Sequence, residues 1–310
     1  MKLRKILFFV LIASCAAGLL LFPTQSAQAA RDAMTLCFQT IIPSLFPFFA
    51  LSSLFISCGA ANDFSYALRG VMRPLFGLSG AGASALTLGL LGGYPVGART
   101  VAELFASGTL PRKEAEHLLG FCNNAGPGFI LGMCAGAVFH SPRTGLYLYL
   151  VHVVSAILTG IILCRDLPHR AQTRRAEKAS SSDAFSVSII PAAVQSSLSG
   201  ILNVCAFVVL FMVLLRLLLL LLPSSASCHP FYPLLLGFVE LSNGVAALSC
   251  SRLGFTLCAV LLAWGGLSVH AQTLSVLDTS TLSTRWYWRG KIMQAVLSVP
   301  LAWVVSYRVF

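Results

Sequence analysis

The chain has 310 residues, of which only 10 % are Asp, Glu, Lys or Arg while 57 % are hydrophobic. A soluble fold with so few charges would leave large apolar patches in water, and a disordered chain would be far poorer in apolar residues, so both are excluded. An all-α polytopic membrane protein remains, and its formal net charge of +11 marks loops held on the cytoplasmic side rather than a nucleic-acid partner.

Lys2, Arg4 and Lys5 precede an apolar run at 6–22, and small residues follow up to Ala30. That pattern suits a cleaved signal peptide, and it equally suits an uncleaved first helix near the lower length limit for a hydrocarbon core of about 30 Å. Residues 1–30 are therefore read as an N-terminal transmembrane helix or signal anchor, with the uncleaved form preferred. The first half of a repeat follows over 31–164. Its second span, 41–58, contains Pro43 and Pro47, which bend a helix by removing backbone donors.

At 80–91 there are 12 mostly apolar residues, which cover only about 18 Å at helical rise and cannot cross alone. Gly92-Gly93-Tyr94-Pro95-Val96-Gly97 comes next, with glycines that permit a sharp turn and a proline that drives Tyr94 out of helical geometry. A second short helix then completes a re-entrant hairpin over 80–108. Asn123-Asn124-Ala125-Gly126-Pro127-Gly128 breaks the next helix, and Gly128, Gly132 and Gly136 are spaced for close helix approach. An uncomplicated span at 144–164 leads into a basic linker at 165–183, read as cytoplasmic.

The second half, 184–310, starts with a long apolar helix at about 200–222. Glu240, Ser242 and Asn243 end a further apolar segment, and another 12-residue run precedes Gly265-Gly266-Leu267-Ser268-Val269-His270-Ala271-Gln272. Placing Gly92 on Gly265 matches seven of sixteen residues, which predicts a second re-entrant hairpin at 253–282. The last span is read from about Lys291. With Lys2–Lys5 and the linker inside, the hairpins enter from opposite faces and the last span returns to the cytoplasm. The result is an inverted-topology repeat with a solute site at the midplane. Arg285, Arg289 and Lys291 then fall outside, against the positive-inside rule.

Candidate substrate-binding residues cluster at the breaks: Gly92, Gly93, Tyr94, Pro95, Gly97, Arg99, Glu103, Asn123, Asn124, Glu240, Asn243, Gly265, Gly266, Ser268, His270 and Gln272. Arg99 near a half-helix N-terminus suits a carboxylate or phosphate, and it also stands four residues before Glu103 as a simple ion pair. Asn123 and Asn124 are ligands or caps, Glu240 and Asn243 are ligands or surface groups, and His270 is a proton gate or a packing residue. No metal ligand set, cofactor motif or catalytic pattern is present, and the ten cysteines, without a C-x-x-C pair, read as small hydrophobes.

Pro43–Phe49, Gly92–Arg99, Phe121–Pro127, Glu240–Gly244 and Gly265–Gln272 together resemble the YlbJ-type sporulation integral membrane proteins. These contain the nucleoside-recognition Gate domain, shared in distant form with concentrative nucleoside transporters and the ferrous-iron permease. The resemblance implies a transporter in a bacterial cell membrane, the forespore membrane included, carrying a small anionic solute such as dipicolinate. Membrane lipid is the other expected partner, and homo-oligomers are left open. A nucleoside transporter and a non-transporting scaffold for sporulation or envelope proteins are the alternatives.

Overall fold

The computed structural model describes residues 2–58, 68, 70–165, 189–278 and 280–310, and of the basic linker only Arg165 lies among them. No strand occurs among the described residues. Helix α1 (Lys2–Leu21) bends by 99° into α2 (Pro23–Leu36), where Pro23 takes a first-turn position that needs no donor. A π-helical turn at Cys37–Ile41 carries the chain into α3 (Ile42–Ser57). The wide turn stands immediately before Pro43, so the proline's missing N–H falls at a point where the helical ladder already changes.

Helix α4 (Gly70–Phe76) meets α5 (Ala81–Gly92) at 91°, one of two sharply bent pairs compatible with re-entrant segments. Helix α5 folds back onto α6 (Val96–Ala106) through Gly93, whose φ of +80° is open to glycine. The arms touch through glycines: a Cβ on Gly89 would lie 3.1 Å from Gly97 Cα and 1.7 Å from the Cys122 carbonyl oxygen. After α7 (Arg112–Leu118) the backbone leaves helical geometry and resumes as the π-helical segment Gly128–Val138. Ser141 then caps α8 (Pro142–Leu163) by accepting the Thr144 N–H at 3.2 Å. Gly132 and Gly136 face outward, so the expected glycine seam is not a packed one; Gly145 of α8 provides the close approach, against Leu131 and Ala135.

Helix α9 (Ile189–Leu219) starts well before its expected position and packs along α2 and α3. A second hairpin follows, at a place the sequence pattern did not indicate. Helix α10 (Tyr232–Val239) folds back on α11 (Leu241–Ala246) around Glu240, and a Cβ on Gly244 would lie 2.3 Å from Gly237 Cα. The hairpin expected at 253–282 is corrected: α12 (Arg252–Trp264) and α13 (Gly266–Leu277) run on as one 26-residue span, broken but not folded back. Gly265 and Gly266, at φ +94° and +78°, interrupt the ladder there. This span is 78 % buried, against 22 % for α9 and for α14 (Arg285–Val309), so it forms the centre while α9 and α14 face outward.

Both halves thus share one element order: a short-helix hairpin, a broken helix, and a full span. Helix α14 packs along α12 and α8. Its start lies beside the start of the first broken helix, where Arg112 donates to Thr281, Ser283 N–H donates to Glu116 at 3.0 Å and His117 stacks on Trp286 at 4.0 Å. Its end lies at the other face, with the Phe310 ring 6.3 Å from Phe139 and Arg252 over the Tyr307 ring at 4.3 Å. Helix α14 therefore runs parallel to the first broken helix, and the expected return of the last span is reversed. The buried contacts between the chain's two halves set this direction, which hydropathy does not report.

Candidate functional site

Both hairpin tips and both breaks converge on one small cavity of about 40 Å³. Gly93 and Tyr94 come from the first tip, Gly126 and Phe129 from the first break, Glu240, Leu241 and Ser242 from the second tip, and Ser268 and Gln272 from the second broken helix. Ile41 and Leu45, together with Val204 and Val208 of α9, close it with apolar surface.

The polar groups are few and fixed. Glu240 is 1 % exposed, and its Oε2 accepts the Asn243 N–H at 2.8 Å, which caps α11. The Tyr94 hydroxyl donates to the Leu262 carbonyl and so pins the first tip to α12 near its break. Ser268 Oγ is buried and has no partner. A buried hydroxyl without a hydrogen bond is costly unless something that enters the cavity satisfies it.

Behind Tyr94 lies a second layer that ties the two breaks to α14. Asn123 Nδ2 donates to Thr273 Oγ1 at 2.8 Å, Lys291 Nζ to the Asn123 carbonyl at 2.8 Å, and Gln294 Nε2 to Asn124 Oδ1 at 2.9 Å. Gly290 permits this approach, since a Cβ there would fall 1.8 Å from the Gly120 carbonyl oxygen. His270 stands apart from the cavity, sharing a hydrogen bond of 2.6 Å with the Tyr287 hydroxyl and packing against Trp264 and Trp288.

Of the sequence-predicted residues, Gly93, Tyr94, Glu240, Ser268 and Gln272 line the cavity. Asn123 and Asn124 belong to the network behind it, Asn243 contributes its backbone to the cap, and Gly92, Gly97, Gly265 and Gly266 shape the turns. Arg99 and Glu103 are elsewhere: they pair at 2.9 Å with side chains 51 % and 53 % exposed, on the wall of a wider groove between α6 and α9 that Pro95 also lines. Lys291, Gln294, Thr273 and Ser242 escaped the sequence reading. The available signal was Gly290-Lys291 with Gln294 three residues on, polar groups on one face of an otherwise apolar span.

Residues 38–164 match the family described as Gate, nucleoside recognition. The chain is also 27 % identical over 332 residues to the sporulation integral membrane protein YlbJ of Bacillus subtilis (strain 168), an alignment covering 92 % of this chain and 79 % of that protein. No solved structure matches. The matched region holds the first hairpin, the first break and α8, and the YlbJ alignment extends the likeness into the second half of the chain. The chain is thus a multi-pass cell-membrane protein whose residues 38–164 are similar to the Gate, nucleoside recognition, family and which is similar along nearly its whole length to the sporulation integral membrane protein YlbJ of Bacillus subtilis.

Proposed function

We propose that this chain is a permease or secondary transporter whose solute binds in the cavity between the two hairpin tips. The observation that carries this reading is the convergence of both tips and both breaks on one buried space, with Glu240 and the unpartnered Ser268 hydroxyl on its wall. Irregular backbone at membrane depth persists where it is buried in protein or lines a cavity, and both conditions hold here.

The wall chemistry suits a small uncharged solute that offers hydroxyl or amide donors to Glu240, acceptors to Ser268 and Gln272, and a flat face to Tyr94 and Phe129. A nucleoside has those features. A dianion such as dipicolinate fits less well, because among the described residues no Arg or Lys lines the cavity and the carboxylate would repel it. One feature favours an anion all the same: Arg99 stands in the wider groove beside Pro95, where it can draw an anion toward the first tip before it enters. The name of the Bacillus subtilis relative adds sporulation as the setting in which such transport would serve.

Binding of labelled nucleosides and dipicolinate to the purified full-length protein tests the reading. Glu240→Gln should weaken binding of the transported solute roughly 10- to 100-fold, the size of a lost charge-assisted hydrogen bond. Arg99→Ala should change cavity binding little if the solute is neutral, and strongly if it is an anion. Equal affinity of Glu240→Gln and wild type for every solute that binds rejects the cavity as the site.

A further inference from the structure

Lys291 is 1 % exposed, and it is the one lysine among the described buried residues. Its ammonium donates to the Asn123 carbonyl at 2.8 Å and to Gln294 Oε1 at 3.3 Å, and it stands 5.1 Å from the centroid of the Tyr94 ring. Among the described residues no carboxylate pairs with it. Glu240, the buried acid, is committed to the Asn243 N–H. The titratable groups facing the amine are Tyr94 from the first tip, Cys122 from the break, His152 from α8 and His270 from α13. Tyr287 on its own helix bonds His270 and also meets the Thr273 and Asn123 side chains.

A backbone carbonyl, an amide oxygen and an aromatic face are ligands that a bare monovalent cation also takes. The carbonyl comes from the interruption between α7 and the π-helical segment, where backbone oxygens are released from helical bonding and carry negative partial charge. Asn123 Oδ1, in the same interruption, is buried without a hydrogen bond of ordinary geometry, with the Tyr287 hydroxyl beside that side chain, so the break holds one more oxygen than Lys291 uses. Oxygen donors without a countercharge collect around a cation, and here α14 brings that cation in covalently.

We propose that the first break is a monovalent-cation site that this chain fills with its own Lys291 ammonium, which ties the first hairpin tip, the break and α14 together without a dissociable ion. Taking the amine away opens the site to a small free cation. The readout below is stability, so its outcome is independent of which solute the cavity takes, or whether it takes one.

The test is thermal unfolding of the purified full chain in detergent, in sodium, methylammonium or choline chloride at equal ionic strength. Choline serves as the cation too large for the break. The wild type should unfold at one temperature in all three salts. Lys291→Ala should unfold lower by about 5 °C or more in choline, and sodium or methylammonium should restore most of that loss. Lys291→Gln keeps a neutral donor for the Asn123 carbonyl and should stay less stable than Lys291→Arg. The proposal is overturned by a wild type that sodium or methylammonium stabilises over choline, by an alanine variant indifferent to all three salts, or by a glutamine variant as stable as wild type in choline. If the alanine variant cannot be purified, the wild-type and glutamine comparisons decide.

Discussion

Glu240 both starts α11 and stands on the cavity wall, and two substitutions separate these roles. Glu240→Gln keeps an oxygen that can accept the Asn243 N–H, so thermal stability should stay within about 1 kcal/mol of wild type while solute binding falls. Glu240→Ala removes the cap as well and should cost about 0.5–2 kcal/mol more. Unfolding in detergent, measured beside binding, distinguishes them. Gly97 tests the first hairpin at the same scale. A Cβ there would sit 2.2 Å from the Cys122 carbonyl oxygen, so Gly97→Ala forces backbone to move and should destabilise by roughly 3 kcal/mol. Gly70 has nothing within 4 Å of the same added atom, and Gly70→Ala should be near neutral. Equal losses at the two glycines would show that the hairpin arms are not in contact. At this scale the sequence named five of the fourteen residues on the cavity wall, Gly93, Tyr94, Glu240, Ser268 and Gln272, because Gly-Gly-Tyr-Pro, Glu-Leu-Ser-Asn and the second glycine pair are conspicuous in an apolar chain. It left Arg99 between an anion partner and an ion pair with Glu103, and the packing of α6 puts that pair on the wider groove rather than on the cavity wall.

Each broken element is held by side chains from a distant part of the chain. The first break has its Asn124 amide bonded to Gln294 and its Asn123 amide to Thr273, so the unwound stretch is stabilised from α14 and α13. A double-mutant cycle on Asn124→Leu and Gln294→Leu should therefore show coupling of about 0.5–3 kcal/mol, and additive single losses would deny the contact. The break at Gly265-Gly266 depends on positive φ at both residues. Gly266→Ala adds a Cβ 2.8 Å from the Gly237 carbonyl oxygen, so it should strain α13 and the second hairpin together, and limited proteolysis should detect loosening at both. The break at 265–266 was legible from its glycines. That it leaves a continuous span, and that the fold-back happens instead at α10–α11, was not, because the two helices are eight and six residues long and too short for a hydrophobic period to register.

For the whole molecule, the reversed direction of α14 resolves a conflict over charge. The starts of α7 and α14 lie together, and the basic residues Arg112, Lys113, Arg285 and Arg289 are grouped there. If that face is cytoplasmic, as the basic linker beyond α8 also requires, the chain obeys the positive-inside rule and residue 310 is extracytoplasmic. The second hairpin then enters from the face opposite to the first, as an inverted repeat demands. An alkaline phosphatase fusion after Phe310 should accordingly be active and a fluorescent-protein fusion dark, and the reverse pattern would return α14 to the cytoplasm. Composition alone determined that the chain lives in a bilayer, and the glycine, proline and asparagine clusters determined where its helices break, since both depend on local chemistry: transfer of side chains from water and backbone freedom. Only the tertiary structure decided which break folds back, which way the last span runs, and that Lys291 is buried against a freed carbonyl. The direction of the last span and the burial of Lys291 depend on contacts between residues 150 or more positions apart, and no local pattern carries information about them.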